Sequence, residues 1–195
     1  KPQIGGYKIL DKLGQDSTGL AYKARDSKGQ IVALKVLSQD AAEDANFVQD
    51  LKAQFSKVKD LDHPGIKKMY SVGEANGTIY VSGEFVEGES LRKILHRDGK
   101  IGVRKSLKII RMIVEALAYA HEHGVMHGDI RPSNILISAQ GQVILSNLGV
   151  ETKTADNILN IVDSGQVAPF YIAPETVLDD REVDYRADFY SLGAT

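Results

Sequence analysis

The segment Gly14-Gln15-Asp16-Ser17-Thr18-Gly19 sets two glycines around four polar residues. Glycine at such a turn lets the backbone fold its N–H groups around an anion such as a phosphate. A dinucleotide fingerprint is excluded, because a β-rich run and not a helix follows Gly19. Taken alone the segment reads as an ordinary hairpin loop. The next β-rich run carries a cation, Lys35 in Val32-Ala33-Leu34-Lys35. A lone Lys in a strand is ordinarily just solvated, so neither feature decides a chemistry by itself. Other chemistries are closed. The chain has no Cys, which excludes disulfides, thiolate catalysis and a Cys-based zinc site. A formal charge of -2 gives no reason to expect nucleic acid as a partner.

The elements that must position these residues can be read from periodicity. Tyr7–Leu13, Leu20–Ala24 and Ile31–Leu37 are β-rich runs, with turns at Gly14–Gly19 and Asp26–Gly29. Phe47, Leu51, Phe55 and Val58 predict a helix over Glu43–Leu61 with one buried face, ended by His63-Pro64-Gly65. Strands near Lys68–Gly73 and Thr78–Phe85 turn at Asn76-Gly77, a pair suited to a two-residue hairpin. Beyond Glu87-Gly88 the pattern is helical. Val103, Leu107, Ile110, Val114 and Leu117 form a stripe that Ile109, Ile113 and Ala116 widen, which predicts a helix buried on most sides. Gly124 stops it, and short strands near Ile135–Ile137 and Val143–Leu145 flank Gln140-Gly141. From Gly149 to Ile172 periodicity is weak, and so long a stretch is usually functional. Strands first and helices later give an α+β architecture. No apolar run is long enough to span a bilayer and Lys1-Pro2-Gln3 does not begin a signal peptide, so a cytoplasmic setting is expected.

The order of motifs says more than any one of them. His63-Pro64 follows the helix, and Glu84-Phe85-Val86-Glu87-Gly88 has the look of a hinge. Then come His127-Gly128-Asp129-Ile130-Arg131-Pro132-Ser133-Asn134, Asn147-Leu148-Gly149, Ala173-Pro174-Glu175, and a run from Asp184 to Gly193. In that order they resemble H-R-D-x-K-P-x-N, D-F-G, A-P-E and the helix that anchors the catalytic loop. The sequence resembles a bacterial-type Ser/Thr protein kinase domain along its whole length.

The resemblance implies a two-lobe kinase-like fold, with a β-rich N-lobe and hinge over 1–87. A mainly helical C-lobe would occupy 88–195 and stop early in its central helix. It also implies ATP as ligand, with Gly14 and Gly19 over the phosphates and Lys35 gripping them. Gln54 falls where the family has the Glu that pairs with this Lys, and Asp50, one turn earlier, is a substitute. Ala21, Ala33 and Leu136 would hold the adenine. Gly83 takes the gatekeeper position, and Glu84 and Val86 offer backbone groups to the adenine edge. Asp129 is the implied base, Arg131 stands in place of the catalytic-loop Lys, and Asn134 and Asn147 take the metal-ligand positions. Val58, Met69, His127 and Leu148 fall on the family's apolar spine, with Asp188 as its anchor.

Departures from the family pattern converge on one part of the chemistry. Asn147 replaces the main metal-binding Asp and brings no charge, whereas Mg2+ favours hard anionic ligands. Asp16 sits at the middle glycine of the phosphate loop, where a carboxylate opposes an anion. Gly128 replaces an Arg that in many kinases holds a phosphorylated activation segment, and Ala168 replaces a Thr beside the catalytic Asp. The expectation is a pseudokinase: a binding or regulatory module with protein partners and weak or metal-independent ATP binding. The alternative is a slow Ser/Thr kinase passing the ATP γ-phosphate to protein hydroxyls through Asp129. A C-lobe of this extent would leave the Val103–Leu117 stripe, Phe189 and Leu192 short of cover, so a homo-oligomer or a longer parent protein is expected.

Overall fold

The structure, a computed structural model, describes residues 2–16, 18–148, 169–176 and 183–195. Ser17, Gly149, Ala168, most of the Gly149–Ile172 stretch and its hydroxyl residues Thr152, Thr154 and Ser164 lie outside them. The chain divides into two compact units, residues 1–60 with 68–86 and residues 61–67 with 87–195. Residues 61–67, expected with the first half, belong instead to the second unit.

Antiparallel pairing builds the first unit. Its strands are β1 (Gln3–Ile4), β2 (Tyr7–Asp16), β3 (Gly19–Arg25), β4 (Ile31–Leu37), β5 (Met69–Ala75) and β6 (Thr78–Glu84). They form one six-stranded sheet in the order β1-β2-β3-β4-β6-β5. The β5–β6 turn is the expected one. Asn76 and Gly77 both take positive φ, 51° and 74°, as a primed hairpin turn requires. Pleating sorts the side chains. Ile9, Ala24, Val32 and Leu34 form one buried cluster, against which Tyr7, Tyr22 and Tyr80 pack. Registers Ala21↔Lys35, Lys23↔Ala33, Ala33↔Gly83 and Lys35↔Val81 place the intervening residues together on the opposite face.

The helix expected over Glu43–Leu61 is α2 (Ala45–Val58), and a short α1 (Gln39–Glu43) precedes it. Asp44 makes the break. Its backbone, at φ -76° and ψ 98°, leaves the helical region, and its N–H closes α1 on the Asp40 carbonyl. Its carboxylate accepts from Phe47 N at 3.0 Å and so satisfies an otherwise orphaned donor of α2. Phe47, Leu51 and Val58 are the buried residues of α2, and Phe55 is half-buried.

The second unit holds a small sheet, β7 (Gly88–Ser90), β8 (Ile135–Ser138) and β9 (Val143–Leu145), in that order. Among the described residues its helices are α3 (Leu91–Asp98), α4 (Val103–Glu122) and α5 (Arg186–Gly193). Ser90 caps α3 by accepting from Lys93 N. The expectation for α4 is corrected. Leu117 is buried, but Val103, Leu107, Ile110 and Val114 are exposed, Val103 to 75%. The buried face is Ile109, Ile113, Ala116, Leu117 and Ala120, the i, i+4, i+7, i+8, i+11 row. That row carries two alanines, and a small residue is what this packing needs. A Cβ placed on Gly65 would lie 2.9 Å from the Ala116 Cβ. Segment 61–67 is fixed there by Asp62 N donating to Tyr119 Oη at 3.1 Å and by the His63 ring beside Tyr119. On its other side it meets β9, where Leu145 N donates to the Gly65 carbonyl and Lys67 N to the Leu145 carbonyl.

Candidate functional site

In the first unit, the residues expected about a nucleotide gather on the sheet face shared by Ala21, Ala33, Lys35 and Gly83. The Lys35 ammonium lies 2.8 Å from Asp16 Oδ2, and the side chain of Lys35 is only 12% exposed. Neither Gln54, half-buried on α2, nor exposed Asp50 takes the role expected of it. The ion-pair partner comes from the loop instead of the helix. The other Asp16 oxygen, Oδ1, accepts from Thr18 N at 3.0 Å, Thr18 Oγ1 at 2.9 Å and Gly19 N at 3.1 Å. Burial by itself pushes the Asp16 carboxyl upward. The charge and hydrogen bond of Lys35, with the bonds from Thr18, outweigh this and hold it below the usual carboxylate range. The sequence signal for this pair is an acid at the end of β2, one hairpin away from the strand that pairs Ala21 with Lys35.

Gly14 lies near the end of β2 and Gly19 opens β3 at φ 154°. Gly83 meets the carbonyl of Lys68 so closely that an added Cβ would come within 2.6 Å of its oxygen. The strand is therefore bare at the gatekeeper position because backbone passes there. Nearby, the register of β5 shifts between Met69 and Ser71. Glu84 N donates to that same Lys68 carbonyl at 2.9 Å, and Glu84 Oε2 accepts from Lys68 N at 3.2 Å. Val86 is the last residue of the unit. Before it, the Phe85 ring lies under the Lys23 ammonium, 4.6 Å from its centroid.

In the second unit, one hydrogen-bond network collects Asp129, Arg131, Asn134 and Asn147. Asp129 is buried, and its Oδ2 accepts from Arg131 Nε at 3.0 Å and from Asn134 Nδ2 at 2.5 Å. Asn134 Nδ2 also donates to the Asp129 carbonyl, and Asn134 Oδ1 accepts from Asn147 Nδ2 at 2.8 Å. Asn147 sits at φ 67°, in the left-handed region that Asn enters more easily than most residues. Leu136 is half-buried on β8, paired with Ser90 and Ile144. Asp188, on α5, fixes the loop from behind. Its carboxylate accepts from His127 N at 2.9 Å, Gly128 N at 2.8 Å and His121 Nε2 at 2.8 Å. His121, which the sequence reading missed, completes this anchor. His127 Nδ1 accepts from Asp129 N, so its Nε2–H donates to the Ser146 carbonyl. Gly128 takes φ 75°, and nothing lies within 4 Å of where its side chain would begin.

Residues 7–195 match the family model for the protein kinase domain. The chain belongs to the protein kinase family. It is 34% identical over 194 residues to the serine/threonine-protein kinase PknB of Mycolicibacterium smegmatis, a match covering 96% of this chain and 31% of that protein. To PrkC of Bacillus subtilis, a serine/threonine-protein kinase, it is 30% identical over 190 residues, covering 97% of this chain and 29% of that one. The crystal structure of the Mycobacterium tuberculosis PknI kinase domain superposes with a TM-score of 0.81 at 26% identity, over 98% of this chain and 72% of that chain. The chain spans less than a third of the length of PknB and PrkC. No helix among the described residues is long and apolar enough to cross a membrane.

Proposed function

We propose that this kinase domain works as a pseudokinase: a binding or regulatory module that accepts an adenine nucleotide weakly, gains little from Mg2+ and has little or no phosphotransfer activity. The observation that carries the reading is the amide pair Asn147–Asn134. Kinases use Mg2+ to bridge and neutralise the phosphates. Here two neutral amides stand at the ligand positions, and the Asn134 oxygen already accepts from the Asn147 amide. The nearest carboxylate, Asp129, has its Oδ2 occupied by Arg131 and Asn134. Among the described residues no group of three or more His, Asp or Glu could hold a metal ion. A cation that sheds water reluctantly and prefers anionic oxygen fits this donor set poorly. The remaining residues still serve a binding role. The network orders the loop, Asp188 anchors it, and a protein surface of kinase shape persists for a protein partner in the cytoplasm.

One observation favours a second reading, a slow Ser/Thr kinase. Asp129 keeps a cation beside it in Arg131, 3.0 Å away, and could orient a substrate hydroxyl. A single sample separates the two. ATP is titrated by calorimetry in EDTA, Mg2+ and Mn2+, and the same protein is then assayed for phosphotransfer. The pseudokinase reading expects an affinity nearly independent of the cation and no incorporation above an Asp129→Ala control. Strong Mg2+-dependent tightening with Asp129-dependent turnover would overturn it in favour of the slow kinase.

A further inference from the structure

The loop of the first unit already holds an anion of its own. Asp16 Oδ1 draws in two loop backbone N–H groups, of Thr18 and Gly19, together with the Thr18 hydroxyl. Asp16 Oδ2 takes the Lys35 ammonium at 2.8 Å. Loop amides and a strand lysine are the groups that would otherwise receive a phosphate, and one carboxylate engages both kinds at once. An ordinary surface ion pair contributes little, because two long side chains must be ordered in water. Here Lys35 is 12% exposed and Asp16 35%, but Asp16 is short and fixed by three further bonds.

We propose that Asp16 is the specificity-determining residue of this sheet face, and that it selects an uncharged adenine nucleoside over a nucleoside polyphosphate. The proposal rests on the nucleotide-binding reading above and deepens it by naming the ligand class. A polyphosphate reaching Lys35 must displace a bound carboxylate and then lie beside it, charge against like charge. A nucleoside leaves the pair in place. Ala21, Ala33 and Gly83 present almost no side chain and leave that part of the face open to a flat ligand, while the Lys23 ammonium on the same face already lies over the Phe85 ring. Asp16 thereby acts through charge and not through bulk.

The test exploits the two oxygens. Asp16→Asn keeps an Oδ1 acceptor for Thr18 and Gly19 but removes the charge that holds Lys35. Adenosine and ATP are titrated by calorimetry, in EDTA, into the wild-type chain, Asp16→Asn, and the double variant with Lys35→Ala. Thermal melts establish that each is folded, and Asp16→Gly serves as a second charge-free variant. Wild type is expected to bind adenosine at least as tightly as ATP. In Asp16→Asn and Asp16→Gly the ATP-to-adenosine affinity ratio should rise at least tenfold, and Lys35→Ala should abolish that rise. If wild type prefers ATP tenfold or more, or if removing Asp16 leaves the ratio unchanged, the role of Asp16 is overturned while nucleotide binding stands. Absence of binding by either ligand to every folded variant would overturn both.

Discussion

Asn147 can be exchanged for Asp without disturbing its backbone, because both residues tolerate the left-handed region that φ 67° demands. What changes is the hydrogen-bond pattern. The amide that donates to Asn134 Oδ1 becomes a carboxylate oxygen facing an acceptor. Asn134 cannot turn to suit it without releasing both bonds from its Nδ2 to Asp129. In EDTA, Asn147→Asp should therefore lose about 1 kcal/mol or more in urea denaturation, the order of one buried bond turned unfavourable. It should also remain inactive in autophosphorylation assays, because groups that act as a unit are not restored one at a time. Efficient autophosphorylation that Asp129→Ala abolishes would reverse that conclusion. Asp16 makes a prediction in pH. Its carboxyl titrates lower in the folded chain than in the unfolded one, whose value is about 4. Its stabilising contribution is thus fully present above about 4 and is lost as pH falls through the lower folded value. Wild type should exceed Asp16→Asn in stability at pH 7, and the two should converge as pH falls towards 3. A difference that does not shrink would mean that charge plays no part in the pair.

At the scale of elements, α4 shows what apolar spacing leaves undecided. Val103, Leu107, Ile110 and Val114 are as hydrophobic as the row that is buried, and periodicity ranks them equally. The choice is made by tertiary contact, where Gly65 presses on Ala116 and demands the row with alanines. Leu107, 61% exposed, should accept Leu107→Lys within about 0.5 kcal/mol in a chemical melt, as surface positions do. A loss of about 2 kcal/mol or more would return it to the core. Strands and the Asn76-Gly77 turn were legible because their chemistry is local. The short α1 and the Asp44 cap were not, since the apolar spacing begins only at Phe47, beyond the break. The motif residues of the second unit were legible by position, but the Asn147–Asn134 bond was not, because it depends on the direction of two amides. For Lys35 the resemblance implies a partner on α2, whereas its ion pair is with Asp16 at the end of β2. Gly83 belongs here as well, because it answers to a neighbouring strand. With the Lys68 carbonyl 2.6 Å from any Cβ, Gly83→Met should cost about 1–3 kcal/mol in denaturation, from forced backbone shifts. A variant as stable as wild type would show that β5 gives way easily.

For the whole molecule, the path of the chain matters as much as any site. The first unit takes residues 1–60, yields 61–67 to the second, recovers 68–86 and then ends. Within the loan, Leu61 and Ile66 are buried, and the backbone bonds on either side of Gly65 run to α4 and β9. The passage at 86/87 is therefore not where the protein comes apart. A protease site placed between Val86 and Glu87 and cut in the native protein should leave two pieces that still co-elute in gel filtration, and separate elution would count against it. The first piece alone should be poorly soluble, having carried away a segment whose buried side chains belong elsewhere. Segment 61–67 is a stitch from the earlier chain into the later one, and one snip does not undo a seam.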